Sequence, residues 1–174
     1  MALNQNADHI AARAGSFEPQ RQNNFTIEIY GLPGDDGQII QLGLASISEI
    51  PGAENEIVEI PFQNEKVYVA GKASVAAITL SIRDYVDSQT REALLRWRKE
   101  VYDSETGKIG LARDYKKAGA IILTAPDGTE ERVFDLQGCF LTNDPKGGLD
   151  MSASDQIMME VTLSIDKVIQ PLAV

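Results

Sequence analysis

The chain has 174 residues, 43% of them hydrophobic and 24% charged, with a formal net charge of -10 and one cysteine. That length is one ordinary domain, able to bury roughly 70% of the surface its unfolded form exposes. The acidic balance excludes binding nucleic acid through counterion release at phosphates and docking on an anionic bilayer, and a lone thiol excludes an internal disulfide framework.

The N-terminus has no basic start, apolar core and small-residue cleavage site in sequence, so no signal peptide is expected. No run approaches the length of a membrane span. Residues 1–24 are polar, with Ala11, Ala12, Arg13 and Ala14 as a short helical candidate closed by Gly15 and Pro19. This segment reads as an arm that orders on a partner.

From Phe25 to Tyr30 apolar and polar residues alternate, which predicts a strand. Pro33, Gly34 and Gly37 punctuate a turn. Ile39 to Ile50 is apolar on both faces and reads as a strand covered on both sides, with Gly43 marking a bend. Glu56 to Phe62 and Lys66 to Val69 read as two strands joined at Gln63-Asn64-Glu65, inside a segment of about 51–74. Ile57, Ile60, Phe62, Val67, Tyr68 and Val69 are too apolar for a free solvated arm. Either the hairpin projects and meets a partner, or it lies in the main sheet.

Ala76 to Arg83 alternates again. Leu94, Trp97 and Val101 then fall at helical spacing and predict one helix over about 88–102, capped at Asp87 or Ser88. Asp103 to Gly119 reads as a polar loop. Ala120 to Thr124 and Glu131 to Thr142 flank Pro126-Asp127-Gly128, a strong turn signal. Asn143 to Gly148 is a second turn-rich loop. Ile157, Met159, Val161, Leu163 and Ile165 alternate with Met158, Glu160, Thr162, Ser164 and Asp166, the cleanest half-buried strand pattern in the chain. Residues 169–174 form a short apolar tail. Seven or eight strands and one helix make the protein mainly β, a barrel or sandwich with one flanking α-helix.

Chemistry-bearing constellations are missing. The single histidine, His9, sits in the arm, so no Ser-His-Asp or Cys-His arrangement forms around Cys139. Cys139 reads as a small buried apolar residue. Gly71-Lys72 is followed by Ala73 and Gly107-Lys108 by Ile109, which fails the phosphate-loop pattern. Asp35, Asp36, Asp144 and Asp150 lie in turn-like segments, and Asp35-Asp36-Gly37 lacks the spaced acids of a calcium loop. No catalytic residue, metal site or cofactor is expected.

The order of the pieces then carries a resemblance. Asn24-Phe25-Thr26-Ile27-Glu28-Ile29 is followed by Glu49-Ile50-Pro51-Gly52, Ile60-Pro61-Phe62 and Val69-Ala70-Gly71-Lys72. Next come Ile78-Thr79-Leu80, Leu95-Arg96-Trp97, Asp114-Tyr115-Lys116-Lys117 and Ile121-Ile122-Leu123. Phe134-Asp135-Leu136-Gln137-Gly138-Cys139-Phe140 and Glu160-Val161-Thr162-Leu163-Ser164-Ile165-Asp166 close the series. Over about Phe17 to Val168 the chain resembles the inner tail-tube proteins of contractile-tailed bacteriophages, the branch similar to the T4 tube protein. One departure is that Leu141-Thr142-Asn143-Asp144 intervenes before Pro145, where that family often has a proline sooner.

The resemblance implies a structural, non-enzymatic subunit that forms stacked hexameric rings inside a contractile sheath. It implies as partners further copies of itself, the sheath protein, baseplate and terminator proteins, a tape-measure protein in the lumen, and DNA in transit without specific binding. The implied place is the virion tail, assembled in the host cytoplasm, with no membrane anchor. The hairpin residues named above become candidate contacts between subunits. Glu28, Glu56, Glu59 and Asp135 become candidate lumen-facing acids, since like charge does not retain DNA. The same features fit the tube of a phage-derived injection device, a tailocin or secretion-type system. A small carboxylate-dependent hydrolase is the reading from another class.

Overall fold

A computed structural model describes residues 19–87 and 89–170. The short helical candidate in the arm, His9, Ser88 and residues 171–174 of the tail lie outside the described residues.

Eight strands form the body. One layer joins β1 (Phe25–Tyr30), β8 (Lys117–Thr124), β9 (Glu130–Leu141) and β12 (Lys167–Ile169). The other joins β2 (Leu44–Ile47), β5 (Ile78–Arg83), β11 (Met158–Ser164) and the two-residue β10 (Lys146–Gly147). All these pairings are antiparallel. The layers meet at a corner where Leu141 and Phe140, the last residues of β9, pair with Leu163 and Ser164.

Alternation decides which side of each strand is buried, because successive side chains point to opposite faces. Ile27, Ile29, Ile121, Phe134 and Leu136 line the inside of the first layer. Ile78, Leu80, Ile82, Met159, Val161 and Leu163 line the inside of the second. Both faces share a single core. Cys139 is wholly buried in it, and burial, followed by the charge of Asp166, pushes its thiol up to about 12. A thiol held that far above neutral pH is not a nucleophile.

The helix expected at about 88–102 runs from Gln89 to Val101 (α2) and turns Ala93, Leu94 and Trp97 into the core. Trp97 donates its indole Nε1–H to the Tyr115 carbonyl at 3.1 Å. The expected single helix is corrected, however. Asp36–Gly43 forms a second helix, α1, and Ala112–Tyr115 a one-turn helix, α3.

The strand expected over Ile39 to Ile50 is therefore half helix, with β2 limited to Leu44–Ile47. Short apolar runs do not distinguish a helix from a strand by periodicity alone. Here tertiary contacts settle it. Asp36, at 4% exposure, accepts two hydrogen bonds from Arg96 of α2, at 2.6 and 3.0 Å. Its charge also favours the N-terminal end of α1. Ile40 and Gly43 then face inward together at helical spacing.

The loop expected over Asp103 to Gly119 contains a small hairpin of β6 (Tyr102–Asp103) and β7 (Lys108–Ile109), then α3 and the start of β8. β12 crosses the boundary expected at residue 168 by pairing Lys167, Val168 and Ile169 with Gln137, Leu136 and Asp135.

Candidate assembly surface

Between β2 and β5 the chain leaves the body. β3 (Ala53–Phe62) and β4 (Glu65–Val75) pair only with each other, as a separate antiparallel two-stranded sheet. Every residue of β3 is exposed, and on β4 only Gly71 and Val75 are partly covered. Val75 packs against the core and β4 touches β12, which roots the hairpin in the body. The tip turns through Gln63 and Asn64, with Gln63 at φ 54.

Register sorts the hairpin's side chains into two unlike faces. Val58 pairs with Val69, Ile60 with Val67 and Phe62 with Glu65. Directly opposite residues of an antiparallel pair share a face, so Val58, Ile60, Phe62, Val67 and Val69 form one continuous apolar surface. They are 42%, 46%, 66%, 53% and 43% exposed. The other face carries Ile57 opposite Ala70, Glu59 opposite Tyr68 and Pro61 opposite Lys66. It is crossed by a 2.8 Å ion pair from Lys66 to Glu59. An isolated two-stranded hairpin is marginal in water.

One irregularity interrupts the pairing. Asn55 pairs with Ala73 and Ile57 with Ala70, so Gly71 and Lys72 together oppose Glu56. Such a bulge bends the strand and strengthens its local twist. It leaves an open cleft of about 510 Å³ lined by Asn55, Glu56, Ile57, Tyr68, Val69 and Ala70.

The four candidate acids fall in two places. Glu28 and Asp135 both pair with Ala120, so they stand in one row on the outer face of the first layer. Tyr30 joins them, its hydroxyl donating to Glu28 Oε2 at 2.8 Å. That bond first, then burial and the charges of Glu28, Asp135 and Glu130, raises the Tyr30 phenol above its ordinary value. Glu56 and Glu59 are on the hairpin, apart from this row, and Glu59 is paired with Lys66.

Two further features were not read from the sequence. Gly138 has φ +70, and a Cβ there would run into the Asp166 carboxylate, which is paired with Lys116. Among the described residues β1, β2, β10 and β12 each pair on one side only. Among the described residues no group of three or more His, Cys, Asp or Glu could hold a metal, and no helix is long and apolar enough to cross a membrane.

No protein-family model matches the chain, and no curated protein matches it. Solved structures do. A chain in the extended-state sheath/tube terminator of an extracellular contractile injection system, PVC, superposes with a TM-score of 0.67 at 18% identity, over 90% of this chain and 99% of that one. A chain in the extended sheath-tube complex of the same system gives 0.66 at 19% identity, over 97% and 99%. A chain in the tube-terminating cap of the anti-feeding prophage gives 0.68 at 18% identity, over 90% and 93%. The fold is that of the contractile tail-tube proteins, in the β-sandwich form with a few helices.

Proposed function

We propose that the chain is the tube subunit of a contractile injection system, assembling into stacked hexameric rings. The observation that carries this reading is the hairpin. Five apolar side chains share one of its faces, each at least 42% exposed in a single copy. Ring closure would cover that face and satisfy open strand edges of the body, which otherwise template unwanted pairing.

Both systems to which the fold likeness points are injection devices, so that reading leads and DNA ejection by a phage tail comes second. The partners follow from the role: further copies of the chain, a surrounding sheath, a baseplate and terminator at the ends, and a tape-measure protein within. The row of Glu28 and Asp135 would face the lumen, where like charge leaves an acidic cargo unbound. Terminal capping is a specific second role, since two of the three structures described above are of a terminator and a cap.

Negative-stain microscopy of the purified protein tests this. Hollow tubes of uniform width are expected, and single rings that never stack mark the capping role. Dispersed monomers at high concentration overturn both. Removing Asn55 to Val69 should leave a folded monomer that forms no tubes, and normal tubes from that deletion overturn the role given to the hairpin.

A further inference from the structure

α1 connects β1 to β2, and its first turn stands where a further strand would add to β1. Successive carbonyls of a strand point to opposite sides of it in the plane of the sheet. The Glu28 carbonyl points to β8, where a Cβ on Gly119 would come within 2.6 Å of it. The Ile29 carbonyl therefore points to the side on which β1 has no partner strand among the described residues. Gly37 of α1 sits against that oxygen, and a Cβ at Gly37 would lie 2.8 Å from it. No strand can pair with Ile29 while the Gly37 backbone holds that place.

We propose that α1 is a releasable guard on the β1 edge: it blocks strand addition at Ile29 in the free subunit and swings aside when a second copy joins. The proposal rests on the tube-subunit reading and adds to it a brake on assembly. An uncovered strand edge is a template for indiscriminate pairing, and a covering helix is one way to blunt it.

The build of α1 supports release. It has eight residues, two of them glycine, and Asp35 gives its start no side-chain hydrogen bond. A helix that short is marginal by itself, and glycine inside a helix is unfavourable. Its hold is tertiary: the Arg96 clamp on Asp36, the burial of Ile40, and the seat of Gly43 on Thr90 and Ile82. The Arg96 side chain is half exposed, and its Nη1 lies 3.7 Å from Glu92 Oε2, a second carboxylate to turn to. Past Gly37 the two elements line an open cleft of about 860 Å³, with Tyr30, Leu32, Gln38, Gln41 and Leu42 on its walls. The helix thus meets β1 by one turn and has room beside it. By pattern alone the run from Ile39 to Ile50 reads as extended chain, so a second conformation is open to these residues.

A disulfide lock tests the release. A Cβ at Gly43 would fall 2.7 Å from Thr90 Cγ2, so Gly43→Cys/Thr90→Cys can bridge α1 to α2 when oxidised with glutathione disulfide. Cys139 stays silent because it is fully buried. Negative-stain microscopy should show single subunits from the oxidised variant and assembly once it is reduced. Oxidised protein that assembles as well as reduced protein overturns the proposal, because a guard that never moves needs no release.

Two measurements stand apart from that bridge. Arg96→Gln should shorten the lag before light scattering rises by several-fold, and an unchanged or longer lag overturns the proposal. Hydrogen exchange of the dilute parent should show the amides of Asp36–Gly43 opening locally, far faster than those of β11. Exchange of both at one rate, through global unfolding, overturns it. The two ideas fail separately: assembly by the locked variant sinks the guard alone, whereas a parent that forms neither tubes nor rings sinks the proposed function and the guard with it.

Discussion

Replacing Ile60 by alanine separates assembly from folding. Ile60 stands on the apolar face of the hairpin, opposite Val67, and is 46% exposed in the single copy. Full burial of such a side chain is worth about 1.5–3 kcal/mol, so covering the remaining half contributes about 1 kcal/mol per subunit. Truncation should then raise the critical concentration for assembly about fivefold, since each 1.4 kcal/mol is about a factor of ten. Ile60→Ala/Val67→Ala should exceed the single variant, in a direction set by their cross-strand contact. Sedimentation of polymer at a series of protein concentrations measures the critical value, and calorimetry of the dilute subunit measures the midpoint. Ile60 touches none of the core, so the midpoint should move by no more than a degree or two. An unchanged critical concentration refutes the account of the hairpin. A large fall in the midpoint refutes its detachment from the core.

Asp36→Ala should lower the midpoint of urea unfolding, with a loss of about 1–3 kcal/mol expected for hydrogen bonds to charged groups, because Arg96 loses both acceptors and α1 its anchor to α2. Gly138→Ala should destabilise by at least ~1 kcal/mol, the cost of a left-handed residue bearing a Cβ, and break the Lys116–Asp166 pair; an unchanged thermal midpoint would show that β9 can rearrange there. Ultraviolet titration should find Tyr30 ionising above pH 10, the ordinary phenol value, and Glu28→Gln should bring it back down. The sign follows from its raised value. The stabilisation this phenol supplies is complete below the unfolded value and is lost as pH rises through the folded one.

What was legible in the sequence followed regular periods. β11 shows Met159, Val161 and Leu163 as a period of two that the observed burial repeats, whereas Ile157, expected at the head of that row, lies before the strand and is 39% exposed. Leu94, Trp97 and Val101 did the same for α2 at the helical period. The failures lie where local pattern was ambiguous and distant residues decided. Nothing within Asp36–Gly43 announces that Arg96, sixty positions away, holds Asp36 under a bidentate clamp. β12 is three residues long, too short for any period, and exists because β9 offers a free edge. The candidate contacts were named as six hairpin residues without regard to face. Register places Val58 with Ile60, Phe62, Val67 and Val69, and puts Ile57 and Tyr68 on the other side. A strand pattern gives alternation within each strand, whereas the two-faced character of a hairpin needs the pairing across it.

The corner at Leu141 has a consequence for the order of events during synthesis. β9 pairs with β8, β12 and β11, and the two strands that close the layers onto it come after every other strand in the chain. The hairpin, by contrast, emerges some ninety residues before them. A growing chain thus displays its sticky arm well before its body is shut, at a synthesis rate of about 5–20 residues per second. Until β11 and β12 are made, the arm stands on a body whose two layers are still open. The apolar face of the arm is thus made before there is a closed body to carry it, and the order of the chain sets that interval.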